Sequence, residues 1–119
     1  MPASPRIDLV ESDGARVVLF RDRMIFDERT VREVAEQLVA LMPAADSESI
    51  RFVLDFSGVE MISSSFLGKL ILIQRRIDSA GGRLRLCELS ATVQNVFRTS
   101  NLDRLFAIDR DRAASLQAV

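Results

Sequence analysis

The 119-residue sequence contains no histidine, tryptophan or tyrosine, and only one cysteine. Without histidine, the chain lacks the commonest general base, the Ser–His and Cys–His nucleophile pairs, and the ligand of most zinc and transition-metal sites. It also has no glycine-rich phosphate loop of the Walker or Rossmann type. Acid–base work by two carboxylates, such as Asp27 and Asp55, is the remaining enzymatic option. We therefore expect a protein that is not an enzyme and holds no cofactor or metal ion.

The single cysteine and the balanced charge restrict the cellular setting. Cys87 cannot form an internal disulfide, and its place in an apolar strand pattern favours a small buried thiol. The net charge of −1 gives no basic surface for nucleic acid or acidic membranes. No apolar run approaches the ~20 residues that cross a bilayer, and residues 1–6 lack the apolar segment of a signal peptide. We expect a cytoplasmic protein that contacts neither nucleic acid nor membrane.

The length predicts a single domain over residues 1–119, with residues 1–5 as a disordered tail. Two apolar runs, 7–11 and 16–20, flank a turn signal at Ser12-Asp13-Gly14 and predict a hairpin. The short apolar run 24–26 extends the sheet or lines its edge. The chain therefore begins with an antiparallel pair of strands.

Two helices are predicted by apolar residues that recur at helical spacing. The first begins after Asp27, a good N-cap, and ends at Pro43, with residues 44–49 as a polar connection. Its inward residues are Val31, Val34, Ala35, Leu38, Val39, Leu41 and Met42. The second helix runs from about Ser64 to Ala80, and Gly81-Gly82 ends it because glycine adopts the left-handed conformation without steric cost.

Strands and helices alternate through the rest of the chain. Near-continuous apolarity over residues 50–56 is typical of a central strand covered on both faces. Residues 83–89 form the next strand, Ser90 caps a third helix, and residues 102–108 form a last short strand. Asp109 caps a final helix whose inward residues are Ala113, Ala114 and Leu116. Helix-linked strands favour parallel pairing, so we predict an α/β fold with a mixed four- to five-stranded sheet, an N-terminal hairpin and about four helices.

Three serines, Ser63, Ser64 and Ser65, lie where the second helix begins. A serine there accepts a hydrogen bond from an otherwise unpaired backbone N–H, and Ser64 taken alone is most simply a plain N-cap. The same helix end carries about half a unit of positive charge, which also suits a phosphate. The chemistry thus allows either a helix cap or a cap that is also a phosphorylation switch.

The turn that leaves the central strand is shaped by side-chain bonds to the backbone. Its residues are Asp55, Ser57 and Gly58.

Several motifs resemble those of STAS domains, and within that family those of the bacterial anti-sigma factor antagonists. The central match is Asp55-Phe56-Ser57-Gly58-Val59, followed by Ile62-Ser63-Ser64-Ser65 and Leu67-Gly68-Lys69-Leu70. The run Asp27-Glu28-Arg29-Thr30-Val31 resembles the Asp-x-x-Thr-Ala start of the family's first helix. Residues 80–84 and 96–106 also fit, so the resemblance covers nearly the whole chain and implies a STAS-like single domain.

The resemblance implies a signal-transduction switch in bacterial transcription regulation. In this family, a serine kinase of the GHKL ATPase type is also the anti-sigma factor, and it binds the unphosphorylated domain and releases a sigma factor. Phosphorylation of one serine ends that complex, and a serine phosphatase resets the domain. Carried across to this sequence, the phospho-acceptor is Ser64, with Ser63 as the alternative, and the family's helix-capping acid is Asp27. We expect a monomer or weak dimer.

We expect the partner to bind around the start of the second helix. The predicted partner-binding residues are Asp27, Ser63, Ser64, Ser65, Phe66 and Lys69. The chain departs from the family pattern at Ser63, where an acid is usual, and at Phe66, where glycine is usual. Phe66 is either an exposed anchor or a core residue, Lys69 lies near the partner or in solvent, and Ser64 is expected to be more exposed than its neighbours. The alternative function is a non-phosphorylated STAS interaction module of a signalling or transport complex.

Overall fold

The computed structural model describes residues 4–42 and 50–119. The predicted end of the first helix at Pro43, the connection 44–49 and residues 1–3 of the predicted tail therefore lie outside the described residues. The described elements, in chain order, are β1 Ile7–Ser12, β2 Ala15–Phe20, β3 Met24–Ile25, α1 Glu28–Ala40, β4 Arg51–Asp55, β5 Met61–Ile62, α2 Ser64–Ser79, β6 Arg83–Cys87, α3 Ala91–Thr99, β7 Ala107–Asp109 and α4 Arg112–Ala118.

The main sheet has five strands in the order β1-β2-β4-β6-β7. Strands β1 and β2 pair antiparallel, and every later neighbour pairs parallel. The hairpin turn is tight because Asp13 and Gly14 both have positive φ, the conformation that two-residue hairpin loops require. Strand β4 is central, and residues 52–56 are buried. The prediction of a mixed α/β sheet with an N-terminal hairpin and four helices is confirmed.

Alternation along the strands divides the apolar residues between two cores on opposite faces of the sheet. The larger core joins the sheet to α1, α2 and α3 through residues such as Leu54, Leu70 and Phe97. The smaller core lies under α4 and consists of Ala15, Val17, Val53, Cys87 and Val119. Cys87 is buried as predicted, and burial raises the pKa of its thiol to about 12, with a further contribution from the charge of Asp55.

The apolar run at 24–26 does not join the main sheet. Strand β3 instead pairs parallel with β5, with Met24 opposite Met61 and Ile25 opposite Ile62. This second sheet has two strands, and we call it the β3–β5 ribbon. Its strands lead directly into α1 and α2, so the ribbon determines where both helices begin.

The structure corrects the sequence analysis in the C-terminal part. The last strand covers only Ala107–Asp109, because turns occupy residues 101–105. Asp111, not Asp109, caps α4 by accepting a hydrogen bond from the Ala114 N–H at 2.9 Å. Asp109 is held within the sheet by Arg85, whose Nε donates to its Oδ2 at 2.6 Å.

Two helix faces also differ from the prediction. In α4, Ser115 is buried and donates its hydroxyl to Asp109 at 2.7 Å, whereas Ala113 is exposed. In α1, Val39 was expected to face inward but is exposed. Helix α4 has only seven residues, which is too short for its apolar pattern to fix the buried face, and Val39 lies in the last turn of α1.

Two glycines give a matched test of this packing. Gly68 lies on the exposed face of α2, and a Cβ added there meets nothing within 4 Å, whereas a Cβ at Gly82 would stand 2.6 Å from the carbonyl oxygen of Ile50. We expect Gly68→Ala to raise the free energy of unfolding by ~0.5–1 kcal/mol through helix propensity. Gly82→Ala should lower it by ~1–3 kcal/mol through overpacking. Urea unfolding measures both, and equal effects would contradict the described backbone at residue 82.

Candidate functional site

The β3–β5 ribbon brings the first residues of α1 and α2 side by side. The Ser63 N–H donates to the Ile25 carbonyl at 3.0 Å, which continues the parallel pairing beyond the ribbon. Together with the ribbon register, this bond puts Phe26 beside Ser63, and the next residues, Asp27 and Ser64, stand at the two helix starts. Neighbouring strands lie ~4.8 Å apart. Two helix N-termini, one preceded by an acid and one by serines, therefore share a single surface.

Asp27 caps α1 as predicted. One of its carboxylate oxygens accepts a hydrogen bond from the Thr30 N–H at 3.1 Å, and the residue is exposed. Hydrogen bonds from the Thr30 hydroxyl and N–H hold the pKa of Asp27 below its usual range, and the charge of Arg6 acts in the same direction. Asp27 thus carries a negative charge at neutral pH, on the exposed surface at the start of α1.

The three serines differ in their surroundings. Ser63 is the N-cap of α2, because its hydroxyl accepts a hydrogen bond from the Phe66 N–H at 3.1 Å, and it is half-buried. Ser64 is the first helical residue and is exposed, as is Ser65. The interpretation of Ser64 as a plain N-cap is therefore wrong. Its expected exposure agrees with the structure relative to Ser63, but Ser65 is exposed as well.

The other two predicted partner-binding residues, Phe66 and Lys69, differ in burial. Phe66 is 0 % exposed, and its ring packs edge-to-face on Phe20 with centroids 6.2 Å apart. The prediction of Phe66 as a direct partner contact is wrong, because the first turn of α2 points this ring into the core. Lys69 is exposed and borders a groove of about 340 Å³ between α1 and α2, whose rim includes the exposed residues Val39 and Leu72.

Two exposed apolar residues at this surface were not predicted to be there. Met24 and Phe26 border the start of α1, whereas the apolar run 24–26 predicted that both extend the sheet or line its edge. The available signal was period-two alternation around the buried Ile25, which predicts that its neighbours face away from the core. A run of three apolar residues hides that signal.

The turn after β4 is organised by a carboxylate. One oxygen of Asp55 accepts the Ser57 N–H at 2.9 Å, and the other accepts Nε of Arg112 in α4 at 2.7 Å. Asp55 is 2 % exposed, and Gly58 occupies the same turn. The Asp55 carboxylate is thus committed to the turn and to α4, which gives no support to an acid–base pair with Asp27.

Within residues 4–42 and 50–119, no group of three side chains is placed to hold a metal ion.

The roles of Ser63 and Ser64 can be separated by stability. Ser63→Ala removes the cap of α2, and we expect the free energy of unfolding to fall by ~1 kcal/mol. Ser64→Ala should leave that free energy within ~0.5 kcal/mol of the unmodified protein, because an exposed serine is replaced by a better helix former. Urea unfolding of the two variants measures the difference. A larger loss for Ser64→Ala than for Ser63→Ala would assign the cap to Ser64.

The ion pair of Asp55 offers a second test. Arg112→Ala leaves a buried carboxylate without its charged partner, so the free energy of unfolding should fall by ~2 kcal/mol. The control is Arg110→Ala, since the Arg110 side chain is 93 % exposed and stands 3.7 Å from Asp111. That change should cost less than ~0.5 kcal/mol. Similar small losses for both variants would show that Asp55 does not depend on Arg112.

Comparison with known proteins identifies the family. The family model described as "Mlab, STAS domain" matches residues 25–117. A protein of Bordetella bronchiseptica named "Putative anti-sigma factor antagonist BtrV" is 35% identical over 85 residues, which are 71% of this chain and 73% of that protein. No helix within residues 4–42 and 50–119 combines the length and the apolarity needed to span a membrane.

Solved structures share the fold at lower identity. The anti-sigma-factor antagonist (STAS) domain protein of Planctomyces limnophilus superposes with a TM-score of 0.84 at 23% identity, covering 98% of both chains. The phosphorylated form of the Bacillus cell fate determinant SpoIIAA has a TM-score of 0.60 at 16% identity, covering 95% of this chain and 99% of that one. The unphosphorylated form of SpoIIAA has a TM-score of 0.64 at 18% identity, covering 91% of each chain. The chain belongs to the STAS domain family, and its relatives include anti-sigma factor antagonists.

Proposed function

We propose that this protein is an anti-sigma factor antagonist controlled by phosphorylation of Ser64. In its unphosphorylated form it binds an anti-sigma factor that is also a serine kinase of the GHKL ATPase type. Phosphorylation of Ser64 ends that complex, and a serine phosphatase restores the hydroxyl. The observation that carries the proposal is the position of Ser64, which is exposed at the start of α2 while the neighbouring Ser63 provides the cap. The named function of the relatives supports the same role.

The start of α2 accommodates a phosphate without a change of fold. A phosphate adds about −1.5 to −2 charges near neutral pH. The dipole of α2 stabilises such a charge at its N-terminus by ~0.3–1 kcal/mol, and the unpaired N–H groups of the first turn offer hydrogen bonds. Ser64 is the first residue of that turn, so its modification leaves the core behind Phe66 untouched. SpoIIAA adopts this fold in both its phosphorylated and unphosphorylated forms.

The same charge opposes binding once a partner covers it. An unpaired charge taken out of water at an interface costs several kcal/mol, and each 1.4 kcal/mol weakens an affinity tenfold. Asp27 at the start of the neighbouring helix α1 is already negatively charged, so the phosphate adds a further negative charge to the surface that the two helix starts form.

Ser64 is a better acceptor than Ser63 on structural grounds. The Ser63 hydroxyl is half-buried and already accepts the Phe66 N–H. A kinase that acted on Ser63 would have to displace that cap and draw the residue away from its backbone bond to Ile25. Ser64 requires neither step, since its side chain faces solvent.

The test is phosphate transfer followed by intact mass measurement. The protein is incubated with ATP and each GHKL-type kinase encoded by its source genome. We expect a gain of one phosphate that is lost in Ser64→Ala and retained in Ser63→Ala and in the exposed neighbour control Ser65→Ala. The variant Ser64→Asp places a negative charge at the same position. We expect it to bind the kinase at least tenfold more weakly than the unphosphorylated protein does.

The alternative outcomes are distinct. A gain that survives Ser64→Ala but not Ser63→Ala would keep the switch and correct the acceptor. Stable binding to a kinase without any phosphate transfer would identify the protein as a constitutive STAS interaction module of a signalling or transport complex. If no candidate kinase binds the protein or transfers phosphate to it, the proposed function is overturned.

A further inference from the structure

We propose that Met24 and Phe26 form an apolar docking patch on which the anti-sigma factor kinase is anchored while it engages Ser64. This Met24–Phe26 patch deepens the proposed function and rests on it. The residue expected to supply an aromatic anchor, Phe66, is buried in the core. The exposed aromatic ring at the candidate site is that of Phe26.

The outward direction of the patch follows from strand geometry. Side chains along a strand alternate between its two faces. Ile25 is completely buried, whereas Met24 on one side is 50% exposed and Phe26 on the other is 56% exposed. Met61 is paired with Met24 across the ribbon and is half-buried, so it adds apolar surface on the same outward face.

A comparison of the two helix starts shows that the exposure of Phe26 is specific to its position. Phe26 and Ile62 both stand immediately before an N-cap, where an apolar residue commonly packs onto the first turn of the helix. Ile62 is buried, but Phe26 is not. The register explains the difference, because Ile25 is the residue paired with Ile62 and takes the inward position. Phe26 comes one residue later and faces outward.

Two backbone hydrogen bonds hold the patch in place. The Ser63 N–H donates to the carbonyl of Ile25, which lies between Met24 and Phe26, and the Val31 N–H donates to the carbonyl of Asp27, which follows Phe26, at 3.0 Å. A surface that is ordered before binding loses less conformational freedom in a complex. Phenylalanine and methionine are both enriched at protein interfaces, and methionine adapts its shape to its partner.

The position of the patch makes contact with a kinase difficult to avoid. A specific interface covers ~800 Å² on each partner, which corresponds to a circle of roughly 16 Å radius. The backbone of Phe26 runs beside that of Ser63 at the ~4.8 Å spacing of paired strands, and Ser63 directly precedes Ser64. A kinase centred on Ser64 therefore covers the patch. The matching partner surface is an apolar pocket flanked by a basic side chain that meets Asp27.

The experiment compares Phe26→Ala with Val10→Ala in phosphorylation of Ser64 by the kinase found in the mass measurement. Val10 is a matched control, because it is 44% exposed and pairs with Val17, which belongs to the smaller core on the face of the sheet opposite α2. We expect Phe26→Ala to raise KM at least tenfold with kcat within twofold, and Val10→Ala to change neither by more than twofold. Phe26→Leu should recover most of the loss. Urea unfolding midpoints verify that all variants are equally folded.

Each other outcome overturns the inference in a recognisable way. If the unmodified protein is phosphorylated on Ser64 while Phe26→Ala behaves like Val10→Ala, the patch does not dock the kinase and the proposed function stands. A fall in kcat at constant KM would assign Phe26 to positioning of Ser64, not to docking. If no candidate kinase binds or phosphorylates the unmodified protein, the proposed function and the inference fail together.

Discussion

A cluster of three phenylalanine rings determines how α2 meets the sheet. Phe20 at the end of β2 packs on Phe56 after β4, with centroids 4.8 Å apart, and on Phe66 in the first turn of α2. All three rings are buried. Because helical residues are spaced by 100°, pointing Phe66 into the core turns Ser64 and Ser65 toward solvent. The exposure of the candidate phospho-acceptor is thus a consequence of aromatic packing on the opposite side of the helix.

The features that could be predicted from the sequence depend on interactions between residues that are close together in the chain. Asp27 and Ser90 each cap a helix by bonding a backbone N–H three residues ahead, and the Asp13-Gly14 hairpin is equally local. The ion pair of Asp55 and Arg112 joins residues 57 positions apart, and no local sequence pattern predicts it. The misplaced cap of α4 has the same origin, since two acids were available and a distant arginine held one of them in the sheet.

At the candidate site, the residue types were predictable but their directions were not. A run of three serines before a helix is compatible with a cap or with a cap that is also a phosphorylation site, and the rotation of the helix decides which serine is the cap and which are exposed. The family resemblance indicated the position of the motif, and the burial of Phe66 fixed its rotation. The same reasoning applies to Phe26. Its position before an N-cap suggests packing onto the first turn of α1, but the ribbon register turns Ile25 inward and leaves Phe26 exposed.

The environment of the lone cysteine has a practical consequence for following the molecule in solution. Thiol reagents attack the thiolate, and Cys87 is both buried and hard to ionise because of its surroundings. A cysteine introduced by Gly68→Cys, where the Cβ direction is open, would therefore be the single reactive thiol of the folded protein. A fluorophore attached there would sit four residues from Ser64 on α2, so it would monitor the environment of this surface without removal of the native cysteine.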